Sequence, residues 1–190
     1  MTRAAVLKRL SLIASLLVLA VAAAGCGGGG GGGGDETKSA TDWANGLCSA
    51  INTWTDSLKS AGQTLSGGNL SKSSLDSATS QVKDATAQLK DDIGNLGKPD
   101  TETGDKAKES VDELSNNIQQ DVDKIESAVK DATSGGNLMS ALTTVSSTLT
   151  TMSNQVQTTF SDLEKLDPKG ELEQAFKDAS SCSNLTSQSG

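Results

Sequence analysis

AKESVDELSNNIQQDVDKIESAVKDATSGGNL, residues 107–138, decides the fold. Its apolar residues Ala107, Val111, Leu114, Ile118, Val122, Ile125 and Val129 recur in alternating steps of three and four. That spacing gathers them on one stripe of an α-helix, whereas a half-buried strand needs a period of two. The stripe ends at Ser134-Gly135-Gly136-Asn137-Leu138, where glycine stops one helix and asparagine can open the next.

Three further stripes flank it. Toward the C-terminus, Leu138, Leu142, Val145, Leu149, Met152, Val156, Phe160, Leu163 and Leu166 keep the same spacing. Toward the N-terminus lie Leu75, Ala78, Val82, Ala85, Leu89, Ile93 and Leu96, preceded by Trp43, Leu47, Ile51, Trp54, Leu58, Ala61 and Leu65. The intervals between them are short: Ser66-Gly67-Gly68-Asn69-Leu70, Gly97-Lys98-Pro99-Asp100 and the second SGGNL. Short connections favour antiparallel neighbours, so residues 41–183 are expected to form an all-α, up-down-up-down antiparallel four-helix bundle. Asp167-Pro168 offers a cap and a first-turn proline for a short fifth helix carrying Leu172, Ala175, Phe176 and Ala179. A shift of 67 residues carries the second stripe onto the fourth, which reads as two similar hairpins. Any two heptad stripes of equal length would align as well.

Ahead of the helices the chain changes character. Arg3, Lys8 and Arg9 precede the apolar Leu10–Val21 and the small residues Ala22 to Gly25, the layout of a signal peptide over residues 1–25. This apolar run is short for a membrane span, which needs about 20 predominantly apolar residues. Ala22-Ala23-Ala24 offers an ordinary secretory cleavage site. Ala23-Ala24-Gly25-Cys26, in contrast, resembles the lipobox of bacterial lipoproteins, with Ala23 where that family prefers leucine. The resemblance implies a diacylglycerol on the Cys26 thiol and cleavage that leaves Cys26 as the first residue. Residues 26–40 then form a linker whose eight glycines, Gly27 to Gly34, have a flexible reach of roughly 15 Å. Residues 184–190 read as a disordered tail.

The three cysteines are Cys26, Cys48 and Cys182. An odd count in an exported chain leaves one thiol to explain, and lipid on Cys26 would leave Cys48 and Cys182 to pair in an oxidising compartment. In the expected topology the fifth helix runs back along the first and brings Cys182 near Cys48.

Charge and missing residue types exclude several function classes. All 24 acidic residues follow Cys26, against 13 of the 16 basic ones, leaving that part of the chain at −11 with no arginine. Phosphate recognition needs Lys or Arg, so no nucleic-acid partner is expected. The chain has no histidine, the side chain best suited to proton transfer near neutral pH, and no G-x-S-x-G. Asp91-Asp92 and Asp112-Glu113 fall off the apolar stripes, where acids are solvated. Asp121-Val122-Asp123-Lys124-Ile125-Glu126 has acidic spacing reminiscent of a calcium loop, but lacks its glycine and final acid. No catalytic residue, metal or cofactor is expected.

Trp43 and Trp54 stand three helical turns apart on one face. They read as core packing or as walls of a pocket for an apolar ligand. The stretch TDWANGLCSAINTWTDSLKS, residues 41–60, with its WA-x-x-x-C start, resembles small uncharacterised lipoproteins of high-GC Gram-positive bacteria. The combined expectation is a non-catalytic, lipid-anchored bundle on the outer face of a bacterial cell membrane, or a secreted one. It would serve as an envelope interaction or structural module with an unknown protein partner; the alternative is a carrier holding an apolar ligand between its helices.

Overall fold

The computed structural model describes residues 37–66 and 71–183. The expected signal peptide, Cys26, the glycine run, the first SGGNL turn beyond Ser66 and the tail lie outside the described residues. Within them the protein is all-α apart from two very short strands. The helices are α1 (Ala40–Ser66), α2 (Lys72–Gly94), α3 (Gly104–Thr133), α4 (Leu138–Leu166) and α5 (Glu171–Asp178), followed by a 3-10 turn at Ser180–Cys182. Each sequence stripe lies inside one of these helices except Leu96 and Ala179, which follow α2 and α5 and are still buried.

The ends of the helices follow from local chemistry. Ser71 caps α2 through a reciprocal pair of bonds with Ser74. The Asn137 side chain accepts from Met139 and Ser140 at the start of α4, after Gly135 has turned the chain at φ 119°. α2 therefore starts at Lys72, after its own serine cap, while α4 starts directly after the asparagine of SGGNL. The two similar hairpins are not built alike at this point.

α5 begins later than Pro168 suggests. Gly170, in the left-handed region at φ 74°, precedes its first residue, and the buried Asp167 carboxylate reaches across to accept from the Leu172 amide. Asp167 thus caps the helix from outside rather than as its N-cap residue.

Thr37–Lys38 (β1) pairs in parallel with Lys98–Pro99 (β2), Thr37 opposite Lys98 and Lys38 opposite Pro99. The Asp100 amide extends the pairing to the Lys38 carbonyl at 2.7 Å. Thr37, Lys38 and Ala40, expected in the linker, thus carry regular structure, and the connection between α2 and α3 is tied to the chain entering α1.

One hydrophobic cluster joins all five helices. α1 packs on α2, α2 on α3 and α3 on α4, while α5 lies chiefly on α1 and touches α4. Every stripe residue of α3 is buried, each large one contributing about 1.5–3 kcal/mol relative to exposure. α4 differs: Leu138, Leu142, Leu149, Val156, Phe160 and Leu166 are only partly buried.

Candidate functional site

The disulfide is the most heavily built feature of the described residues. Cys48 lies on α1 and Cys182 in the final turn; their sulfurs are bonded and their Cα atoms lie 5.1 Å apart. Both residues are buried. Asn45 and Asn52, one turn before and one turn after Cys48, hold the same final turn. Asn45 Oδ1 accepts from the Ser181 amide at 3.2 Å, and Asn52 Nδ2 donates to the Ser181 carbonyl at 2.7 Å. The sequence reading missed both asparagines. Their spacing around Cys48 was the available signal, and it is weak because asparagine is common on exposed helix faces.

An aromatic stack continues from the disulfide. Trp43 meets Phe176 edge-on with centroids 6.2 Å apart, and Phe160 of α4 meets the same Phe176 at 5.3 Å. Phe176 therefore bridges α1 and α4. Edge-to-face pairs of this kind contribute about 0.5–1.5 kcal/mol beyond area burial. The Trp43 indole donates to the Gly97 carbonyl at 3.1 Å, and Gly97 takes φ 70° to leave α2. Trp54 donates to Thr86 Oγ1 at 3.0 Å. Both tryptophans are thus core residues with satisfied N–H groups. They share a face of α1, but the structure does not bring them together around an apolar space.

A crevice of about 370 Å³ runs between α3 and α4, lined by Glu113, Asn117, Asn154, Gln155, Thr158 and Asp162 among others. Its lining is rich in carboxylate, amide and hydroxyl groups. Asp121 of α3, 2 % exposed, accepts from Lys124 Nζ at 2.7 Å and from Nε2 of Gln155, one of the lining residues, at 3.0 Å. This buried carboxylate is satisfied by a charge-assisted pair and an amide, and it fixes the register of α3 against α4.

The other carboxylates of the calcium-like stretch point elsewhere. Asp123 accepts from Gln119 Nε2 at 3.2 Å, and Glu126 pairs with Lys83 at 2.9 Å. Among the described residues no three metal-ligating side chains gather. Asp91 and Asp92 are exposed, and Asp112 pairs with Lys108 one turn earlier. An S-x-x-K spacing occurs at Ser80–Lys83 and Ser127–Lys130, but both hydroxyls donate to carbonyls one turn back, Asp76 and Asp123, at 3.0 and 2.9 Å.

Surface ion pairs shift four groups. The Lys169 ammonium hydrogen-bonds Glu102 and holds its carboxyl below the usual value, while Glu102 raises Lys169 in return. Glu126 raises Lys83 and Glu173 raises Lys177 in the same way. These are solvated pairs of modest worth. No family model matches the chain, and comparison with curated proteins and with solved structures gives no match either. Among the described residues no helix is long and apolar enough to cross a membrane.

Proposed function

We propose that this chain is a non-catalytic lipoprotein, held on the outer face of the cell membrane by lipid on Cys26 and acting as an envelope interaction or structural module. The observation that carries the reading is the Cys48–Cys182 disulfide. Such bonds persist in oxidising compartments, and this one uses two of the three cysteines. Cys26 remains, between an apolar run and a glycine tether, where an acyl chain would hold the helices close to a bilayer while leaving them free to tilt.

The folded part of this reading is an up-down-up-down antiparallel four-helix bundle with α5 as a short addition. Cross-helix bonds support it. Trp43 bonds to Gly97 and Trp54 to Thr86, so advancing along α1 retreats along α2. Lys72 reaches Thr133 and Lys83 reaches Glu126, giving the same relation between α2 and α3. The Asp121–Gln155 bond and the crevice lining, which reaches from Ser110 to Asp162, continue it between α3 and α4.

The anchoring is tested by metabolic labelling with an alkyne fatty acid, alongside fractionation of cells producing the wild-type chain or Cys26→Ser. The expected outcome is label on the wild-type protein only, with Cys26→Ser moving from the membrane to the soluble fraction. A wild-type protein that takes no label, or a variant that stays with the membrane, removes the proposal.

A further inference from the structure

α4 is the least enclosed of the long helices. Five of its 29 residues are buried, against eleven of 30 in α3. α2 packs on both α1 and α3, and α1 packs on α2, α5 and the final turn, whereas α4 packs chiefly on α3. Even there part of the contact is polar. Thr151, Asn154, Gln155 and Thr158 of α4 border the crevice opposite Glu113 and Asn117 of α3. Asp121 holds Gln155 by its Nε2, and the Gln155 Oε1 is left buried without a hydrogen-bond partner. Such an atom favours any state in which water reaches it.

The sequence of α4 also supports a helix poorly once packing is removed. Residues 138–161 include no charged side chain, and twelve of these 24 are serine or threonine. Serine, threonine and valine are weaker helix formers than alanine, glutamate or lysine. Ion pairs between successive turns are absent from this stretch, whereas α3 has Lys108–Asp112. Thr143, Thr144, Thr150 and Thr151 donate their hydroxyl protons to carbonyls four residues back, a bonding that bends and weakens a helix. A helix of this composition owes its form to its neighbours, so undocking and melting are one event.

The chain on either side is held independently. α5 and the final turn are fixed to α1 by the Cys48–Cys182 bond, by Asn45 and by Asn52. Leu163, fully buried, and Phe160, edge-on to Phe176, pin the last turns of α4 to that anchored end. Before α4, in contrast, the chain turns at Gly135, φ 119°, in open space. The stretch from Leu138 to Val156 therefore has a fixed point after it and a free turn before it.

We propose that residues 138–156, about five turns of α4, are a conformational gate: they undock from α3 and unfold as a unit while α1, α2, α3, α5 and the final turn keep their native form. Opening uncovers the side of α3 that these turns cover and hydrates Gln155. It gives the core an entrance that leaves the disulfide and α5 in place. The inference concerns the folded helices and stands whether or not Cys26 is acylated.

The test is native-state hydrogen exchange on the full chain at a series of low denaturant concentrations. The amides of Val145 and Leu149 in α4 are compared with those of Ile118 and Val122 in α3. The α4 pair is expected to exchange about 100-fold faster and with the weaker dependence on denaturant, since a partial opening exposes less surface than global unfolding. Ile93→Val serves as the second arm, because Ile93 is buried on α2, which stays folded when the gate opens. It should speed the α3 amides about fivefold and leave the α4 amides unchanged. Equal rates and equal denaturant slopes in α3 and α4, or an Ile93→Val variant that speeds both helices alike, would overturn the proposal.

Discussion

Gly62 and Gly104 stand in helices under opposite constraints. A methyl added at Gly62, in the interior of α1, meets nothing within 4 Å. There glycine brings only the entropy of an unrestrained backbone, and Gly62→Ala is expected to stabilise the protein by about 0.5–1 kcal/mol. At Gly104, the first residue of α3, the same methyl would lie 2.1 Å from the Pro99 carbonyl oxygen. Main chain in a strand pairing cannot give way cheaply, so Gly104→Ala should cost on the order of 1–3 kcal/mol. Thermal melts of the two variants check the pair: the midpoint should rise for Gly62→Ala and fall for Gly104→Ala. A fall for both would mean that the space beside Gly62 is closed in solution. Nothing in the sequence distinguishes these glycines, since each sits near an otherwise regular apolar stripe and the obstruction comes from a residue brought close by the fold.

Periodicity carried the four long helices because it reports which side of a helix faces inward, and every stripe residue but Leu96 lies within its helix. It does not report what covers that side. α4 has the longest stripe of the four, yet six of its nine members are only partly buried, Phe160 among them although it touches Phe176 of α5. The β1–β2 pairing was invisible for a different reason: two residues per strand leave no period to detect. Of the site, the cysteine pairing was legible from the cysteine count, while the asparagine clamp depended on where the final turn lands. Between elements, ion pairs tie loops and helices, and their titration has a definite sign. Glu102, on the connection into α3, is held below its ordinary value of 4.5 by Lys169, on the loop before α5. The pair therefore contributes stability above that value and loses it as pH falls through the lowered one. Lys83, raised above 10.5 by Glu126, contributes below 10.5 and loses its effect as pH rises past its raised value. Melting wild type and Glu102→Gln across acid pH should show a small deficit in the variant near neutrality that vanishes in strong acid. A gap that persists or widens in acid would assign the effect to something other than this carboxylate. Both partners are well exposed, so the deficit should also shrink in high salt.

At the scale of the whole molecule the Cys48–Cys182 bond spans 134 residues and encloses α2, α3, α4 and α5 in one covalent loop starting on α1. Closing so long a loop restricts the unfolded chain strongly, and loss of such a bond typically costs about 2–5 kcal/mol. The native contacts around it also matter. Asn45, Asn52 and the Trp43–Phe176–Phe160 stack hold the final turn and α5 in place without the bond, so its removal should not by itself detach them. The double variant Cys48→Ala, Cys182→Ala is therefore expected to keep its helical circular dichroism while its denaturant midpoint falls by the equivalent of several kcal/mol. Its final turn should still protect the Ser181 amide from hydrogen exchange, though less than in the wild type. If the variant loses its helices outright, the bond is required for folding rather than only restricting the unfolded state. If the midpoint is unchanged, the unfolded chain is already compact enough that closing the loop adds nothing. The large acidic excess favours a lowered midpoint over an unchanged one, because like charges expand an unfolded chain and increase the freedom that the disulfide removes.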